Sequence, residues 1–155
     1  MTPESAARVT ARDIGLFLIR GIVGVVFLFH GSQKLFGWFE GPGLQNWEQA
    51  LAQMQVPYPH VSAILSGCAE FFGGLFFLLG LFTRIAAIPI AITMAVAVFK
   101  VHNTTFSITA EPMGMEYALT LGLVAIGIAF TGPGRLSLDH VLWSRGGVPD
   151  EGKVR

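Results

Sequence analysis

Residues 58–81, YPHVSAILSGCAEFFGGLFFLLGL, decide the fold of this chain. The stretch is long enough to cross the hydrocarbon core of a membrane as a helix, which takes about 20 residues. In lipid every backbone polar group must be satisfied internally, so a helix is the expected structure. One ionisable residue, Glu70, stands near the middle of this apolar run.

Three further stretches around this one have the same apolar character. We predict an all-α integral membrane four-helix bundle that forms one domain over residues 1–155, with spans at about 14–36, 58–81, 84–101 and 115–130. No small-x-small cleavage site follows the first apolar run, so we expect helix 1 to be retained.

The composition agrees with a membrane protein. Of the 155 residues, 52% are apolar and 13% are charged, whereas a soluble domain usually carries about a quarter charged residues. The formal net charge is zero, so nothing points to nucleic acid as a partner. The single cysteine, Cys68, excludes an internal disulfide and a CxxC redox pair.

Two segments are predicted to lie on the membrane surface. Residues 42–55 place Leu44, Trp47, Leu51 and Met54 on one apolar stripe, which is typical of an interfacial helix between helices 1 and 2. Such a helix can act as an anchor or as a lid. The tail, 132–155, starts with a Gly-Pro-Gly helix break and is expected to contain a second, short surface helix.

The positive flanks set the orientation. Arginine and lysine occur before helix 1, between helices 2 and 3, and after helix 4, whereas residues 37–57 hold none. By the positive-inside rule, both termini are expected in the cytoplasm of a cell with a bacterial-type inner membrane.

Ionisable residues within or beside the spans are the candidate functional groups, because each costs free energy in lipid unless a partner stabilises it. Glu70 is expected at the membrane midplane. Arg20 shares one face of helix 1 with Lys34, and two interpretations stay open: Arg20 pairs with Glu70, or its side chain extends to the membrane surface. Glu70 itself can serve function or helix register.

A second group of polar residues gathers at the outer ends of the helices. The group comprises His30, Lys34, His60, Lys100, His102 and Glu116. Lys34, His102 and Glu116 together are expected to form a polar pocket, whereas His60 and Lys100, each taken alone, are expected to contact lipid headgroups. No pair of histidines has His-x-x-x-His spacing, so haem or a metal ion is not the expected cofactor.

In this order along the chain, several short motifs are similar to those of the DoxX family of small four-helix membrane proteins. The motifs are Leu18-Ile19-Arg20, Phe29 to Leu35 (FHGSQKL), Glu70 to Gly74 (EFFGG), Gly80 to Ala87 (GLFTRIAA), His102, Glu116 to Leu119 (EYAL) and Gly132 to Asp139 (GPGRLSLD). The resemblance covers about residues 13–143. It implies association with quinone-linked oxidoreductases and with membrane complexes of sulfur metabolism and oxidative stress.

From the residues and this resemblance together, we expect a redox-associated subunit that binds a quinone between its helices. Glu70 and Glu116 are the expected catalytic proton carriers, and the expected quinone-binding residues are Arg20, His30, Lys34, Lys100 and His102. Without a cysteine pair, flavin motif or nucleotide loop, electrons must come from the quinol or from a protein partner. The expected partners are therefore membrane lipid and a protein of a redox complex, and homo-oligomerisation stays open.

Two other classes of function compete with this interpretation. In a structural or assembly subunit, the buried charges would only lock the helices while the surfaces recruit soluble partners. A transporter or proton pathway is less favoured, because the chain shows no obvious inverted repeat and no discontinuous span.

Overall fold

A computed structural model describes residues 9–101, 104–109 and 114–144. Within these ranges the regular structure is entirely helical. The elements are α1 (Ala11–Phe36), α2 (Gly43–Gln53), α3 (Pro59–Leu79), α4 (Thr83–Val96), a π-helical turn (Ala97–Val101), α5 (Glu116–Thr131) and α6 (Leu138–Ser144).

Helix α1 has defined signals at both ends. Thr10 and Asp13 form a capping box, in which Asp13 Oδ2 accepts from the Thr10 amide at 2.9 Å while Thr10 Oγ1 accepts from the Asp13 amide. At the other end Gly37 adopts φ +70°, a left-handed conformation that glycine takes at little cost and that stops the helix.

Glycines set the distance between α1 and α3. The two helices are antiparallel, and a Cβ at Gly24 would lie 2.8 Å from the backbone nitrogen of Leu78, while one at Gly31 would overlap the backbone of Phe71. On the α3 side, a Cβ at Gly74 would overlap the backbone at Leu28. Small residues of this kind let helix backbones meet closely in a membrane.

The apolar core lies between α4, α5 and the inward faces of α1 and α3. Its centre contains side chains without exposed surface, such as Phe77, Ala87, Ile90 and Ala125. Helix α4 carries Pro89 in its interior and ends in the π-helical turn. Proline removes one backbone donor, so α4 is the least regular of the long helices.

The two short helices close opposite ends of the bundle, which we call the α2 end and the α6 end. At the α2 end, Leu51, Val56 and Ala63 form a small apolar cluster that fixes α2 to α3. At the α6 end, the amide of Asp139 in α6 donates to the carbonyl of Gly80 at 2.9 Å, which ties α6 to the α3–α4 turn.

The predicted all-α membrane fold is confirmed. Three helices are long and apolar enough to cross a membrane: Ala11–Phe36, Pro59–Leu79 and Thr83–Val101. Helix α5 is apolar but has 16 residues, which by helical rise cover about 24 Å, less than a typical hydrocarbon core. Helices occur at both positions where surface helices were predicted, α2 within 42–55 and α6 in the tail.

Gly31→Ala should destabilise the bundle, because the added Cβ would overlap the backbone of Phe71 and push α1 from α3. Overpacking of this kind typically costs about 1–3 kcal/mol. Gly21→Ala is the matched control in the same helix, since a Cβ there meets nothing within 4 Å. Thermal unfolding in detergent should show a lower midpoint for Gly31→Ala alone; equal midpoints would contradict the close α1–α3 packing.

Candidate functional site: a buried ion pair between α1 and α3

Glu70 lies in the interior of α3 with 1% of its surface exposed. By helical rise it is about 16 Å from the Pro59 end of α3 and about 14 Å from the Leu79 end. Neither end is therefore within reach of its carboxylate. A buried charge in this position needs a partner inside the bundle.

Lys34 of α1 is that partner. Its Nζ donates to Glu70 Oε1 at 2.5 Å, which is a charge-assisted hydrogen bond. The lysine stem passes along α3 at Gly67, where a Cβ would lie 3.7 Å from that of Lys34. Because position 67 has no side chain, the ammonium group can reach one turn further to position 70.

Helix α2 covers this ion pair at the α2 end. The ammonium of Lys34 lies 4.7 Å from the ring centroid of Trp47, a cation–π contact. Trp47 is itself held by a hydrogen bond from its Nε1 to Ser66 Oγ at 3.0 Å, one turn before Glu70 on α3. On the exposed side, His60 Nδ1 and Glu48 Oε2 are 2.8 Å apart. Trp47 therefore fixes α2 against Lys34 of α1 and Ser66 of α3.

The second oxygen of Glu70 has a different environment. Among the described residues, Oε2 is buried and has no hydrogen-bond partner. His30 of α1 and Tyr117 of α5 stack edge to face, with ring centroids 6.1 Å apart. One carboxylate oxygen of Glu70 therefore contacts a cation, and the other is available as a hydrogen-bond acceptor.

Arg20 does not join this site. Its guanidinium donates to the carbonyls of Phe77 at 2.5 Å, Leu78 at 3.2 Å and Leu136 at 2.7 Å, at the α6 end. The hypothesis that Arg20 pairs with Glu70 is wrong, and so is the alternative that it extends to the surface, because it is 1% exposed. The last carbonyls of a helix lack the usual i+4 amide partner, and the planar guanidinium supplies donors for those of Phe77 and Leu78.

Asp139 stabilises the neighbouring helix start. Its two carboxylate oxygens accept from the amides of Phe82 at 2.7 Å and Thr83 at 3.0 Å, at the N-terminus of α4. A carboxylate in this position interacts favourably with the helix dipole. Together with Arg20 it attaches the tail to the bundle.

The remaining predicted site residues are dispersed. Glu116 Oε2 accepts from the amide of Ile108 in the preceding loop at 3.2 Å. Lys100 is exposed on the π-helical turn, and the prediction for His102 lies outside the described residues. Within the described ranges, no three His, Cys, Asp or Glu side chains form a group suited to a metal ion.

Sequence reasoning missed several residues that complete the site: Ser66, Tyr117 and the cation–π role of Trp47. Trp47 belongs to the apolar stripe predicted for α2, and Tyr117 directly follows Glu116, so both residues lie beside features that the sequence indicates. Their approach to Lys34 and Glu70 depends on helix rotations, which no local pattern gives.

Two cavities lie away from the ion pair. The larger, of about 530 Å³, is an open cleft at the α6 end. The smaller, of about 270 Å³, is an apolar groove between α3 and α4. Residues of the α3–α4 hairpin line both cavities.

Comparison with known proteins places these features in context. The DoxX family model matches residues 15–103. The chain is 35% identical over 139 residues to the uncharacterized membrane protein Rv3486 of Mycobacterium tuberculosis, an alignment that covers 82% of this chain and 80% of that protein. No solved structure matches significantly.

Two further relatives have informative names. One is "Putative oxidoreductase CatD" of Bacillus subtilis, 30% identical, with 82% of this chain and 86% of that protein aligned. The other is the inner membrane protein YphA of Escherichia coli, 31% identical, with 84% of this chain and 91% of that protein aligned.

The Lys34–Glu70 contact should appear as energetic coupling. Lys34→Met leaves a buried carboxylate without its cation, and loss of one partner of a buried pair costs about 3–5 kcal/mol. Glu70→Gln removes the charge that Lys34 contacts. In a double-mutant cycle measured by thermal unfolding, we expect the double variant to lose clearly less stability than the sum of the losses of the two single variants.

The matched control for this cycle is Lys100→Met, which removes an exposed lysine. Lys100→Met combined with Glu70→Gln should give additive losses. Additive losses for Lys34 and Glu70 as well would mean that the two side chains are not coupled.

Proposed function

The chain belongs to the DoxX family, and from this premise we propose that it is a redox-associated membrane subunit that binds a quinone-like molecule beside Glu70. The observation that carries the proposal is the asymmetric carboxylate. Oε1 is held by Lys34, while Oε2 is buried without a partner among the described residues. A buried acceptor of this kind calls for a donor, and a quinol hydroxyl is one.

The chemistry follows from the two oxygens. Oxidation of a quinol to the quinone releases two protons and two electrons. Glu70 Oε2 would accept a hydrogen bond from the hydroxyl and take one proton, and Lys34 would stabilise the carboxylate before that transfer. The second proton, and the exit of the first, need further groups, and we propose His30 and Tyr117, whose rings stack edge to face, for this role.

The lipid-facing surface supports entry of a hydrophobic ligand. Tyr117 is 38% exposed and Phe29, which contacts His30 edge to face, is 40% exposed. His30 contacts both rings, so Phe29 and Tyr117 form one partly exposed aromatic surface of α1 and α5. A quinone could thus reach Glu70 sideways from the bilayer, while α2 covers the site from the membrane surface.

The two electrons must leave to another protein. The sequence has one cysteine, Cys68, and no flavin or nucleotide motif, so the chain alone has no second redox centre that we can assign. The name of the relative CatD supports an oxidoreductase association. We therefore propose a protein partner that accepts or supplies the electrons.

A structural or assembly role is the second candidate, and Arg20 favours it. Arg20 fixes the end of α3 and the tail through three carbonyls and leaves no reactive group exposed. In this alternative the Lys34–Glu70 pair likewise locks two helices and binds no ligand. If Glu70→Gln stays folded but no longer binds the ligand, the result favours the binding role over the structural role.

We also propose that the α6 end faces the cytoplasm. Arg12, Arg84 and Arg135 lie at this end, which satisfies the positive-inside rule. A fluorescent protein fused to the C-terminus should fold and emit in cells, whereas alkaline phosphatase fused at the same point should be inactive. An active phosphatase fusion would reverse the proposed orientation.

The binding proposal predicts that quinone copurifies with the protein. Organic extraction of protein purified in mild detergent, followed by mass spectrometry, should recover close to one quinone per chain. Glu70→Gln should reduce this amount at least tenfold, because Gln presents an amide where the carboxylate accepted the hydroxyl.

Glu40→Gln is the control variant, because Glu40 is an exposed glutamate between α1 and α2 and the substitution removes the same charge as Glu70→Gln. It should retain quinone. Thermal unfolding must show that Glu70→Gln is folded. Full quinone occupancy in folded Glu70→Gln would refute the site, and quinone absent from the wild-type protein would favour the structural candidate.

A further inference from the structure

The two cavities of the α3–α4 hairpin share part of their lining. Phe82 and Ile85 border both the open cleft at the α6 end and the apolar groove between α3 and α4. The cleft and the groove are therefore adjacent, with these two side chains between them. A cleft that carries an arginine beside an apolar groove suits the two parts of an amphiphile.

The mouth of the cleft carries a cation. Arg84 lines it and is exposed, and its guanidinium lies against Gly132, where a Cβ would be 3.1 Å from Nε. Because position 132 lacks a side chain, the arginine can lie at the cleft wall beside Pro133 and Gly134. His140 and Trp143 line the opposite wall.

The one acidic residue of the cleft is already engaged. Both oxygens of Asp139 accept from the backbone amides of Phe82 and Thr83 at the start of α4. Its negative charge is thus partly balanced by the helix N-terminus. The cleft consequently presents Arg84 as its available charged donor, in a position suited to an anion.

The groove suits a hydrocarbon chain. It is lined by apolar and small side chains of both helices, from Cys68 and Phe72 to Ala86 and Pro89. From Cys68 to the end of α3 at Leu79 the helix rises about 16 Å, close to half the thickness of a hydrocarbon core. One acyl chain of one membrane leaflet has this reach.

We propose that the cleft and groove together bind one anionic phospholipid, with its phosphate at Arg84 and one acyl chain between α3 and α4. Trp143, 62% exposed and stacked edge to face on Phe82, lies at the level expected for a membrane-interface aromatic. The site is distinct from the ion pair, so this proposal does not depend on quinone binding.

The probe is phosphatidylglycerol, compared with phosphatidylcholine. Native mass spectrometry of the protein in mild detergent with each lipid should show one retained phosphatidylglycerol per chain and weaker retention of phosphatidylcholine. Arg84→Gln should weaken phosphatidylglycerol binding about fivefold or more, the effect of one basic side chain near a lipid surface. Inorganic phosphate at millimolar concentration should not displace the lipid, because it lacks an acyl chain.

Two matched pairs of variants distinguish lipid binding at this site from general electrostatic attraction between the protein and an anionic lipid. Arg12→Gln removes an exposed charge at the same end outside the cleft, and it should leave binding unchanged. Ala69→Phe fills the groove and should reduce binding, whereas Ala95→Phe, on the exposed face of α4, should not. Thermal unfolding checks that each variant is folded.

Several results would overturn the proposal. Equal losses in Arg84→Gln and Arg12→Gln would indicate diffuse charge attraction. Unchanged binding in folded Ala69→Phe would remove the groove from the site. Equal retention of both lipids, or displacement of phosphatidylglycerol by a quinone, would show that Arg84 does not select an anionic headgroup.

Discussion

A polar group inside a bilayer has no water to bind, and the architecture of this protein depends on supplying each buried charge with a partner from the chain. Among the described residues, the charged side chains of Glu70 and Arg20 are each only 1% exposed, and they have different kinds of partner. Glu70 receives a cation, whereas Arg20 receives neutral carbonyl groups. The first arrangement leaves a carboxylate oxygen available for chemistry, and the second fixes a helix end.

Close packing makes the first arrangement feasible. Gly24, Gly31, Gly67 and Gly74 bring α1 and α3 together along most of their shared length. A lysine on one helix can then reach a carboxylate on the other across a short, dry distance. The ion pair therefore depends on the glycines. Larger residues at these positions would move the two helices apart and leave each buried charge without the partner that offsets its desolvation.

The helical bundle and the central position of Glu70 could be predicted from the sequence, because hydropathy and the cost of a charge in lipid are local properties. It was insufficient for the partner of Glu70. Arg20 and Lys34 share one face of α1, four helical turns apart, so periodicity treats them alike. The antiparallel register, with Gly31 opposite Phe71, decides that Lys34 and not Arg20 lies level with Glu70. Likewise, tertiary packing decides that Tyr117 contacts His30 and that Trp47 contacts Lys34. The carboxylate of Glu116 instead accepts a hydrogen bond from the loop that precedes it.

The hydrogen bond from Arg20 to Leu136 spans 116 residues of sequence and sets an order of events during biosynthesis. The ribosome must add every residue between them before that acceptor exists. At about 5–20 residues per second, this interval is roughly 6–23 s. The first helix therefore enters the membrane with an arginine whose final environment has yet to be made, and the insertion machinery or lipid headgroups must accommodate its charge until the C-terminal segment arrives.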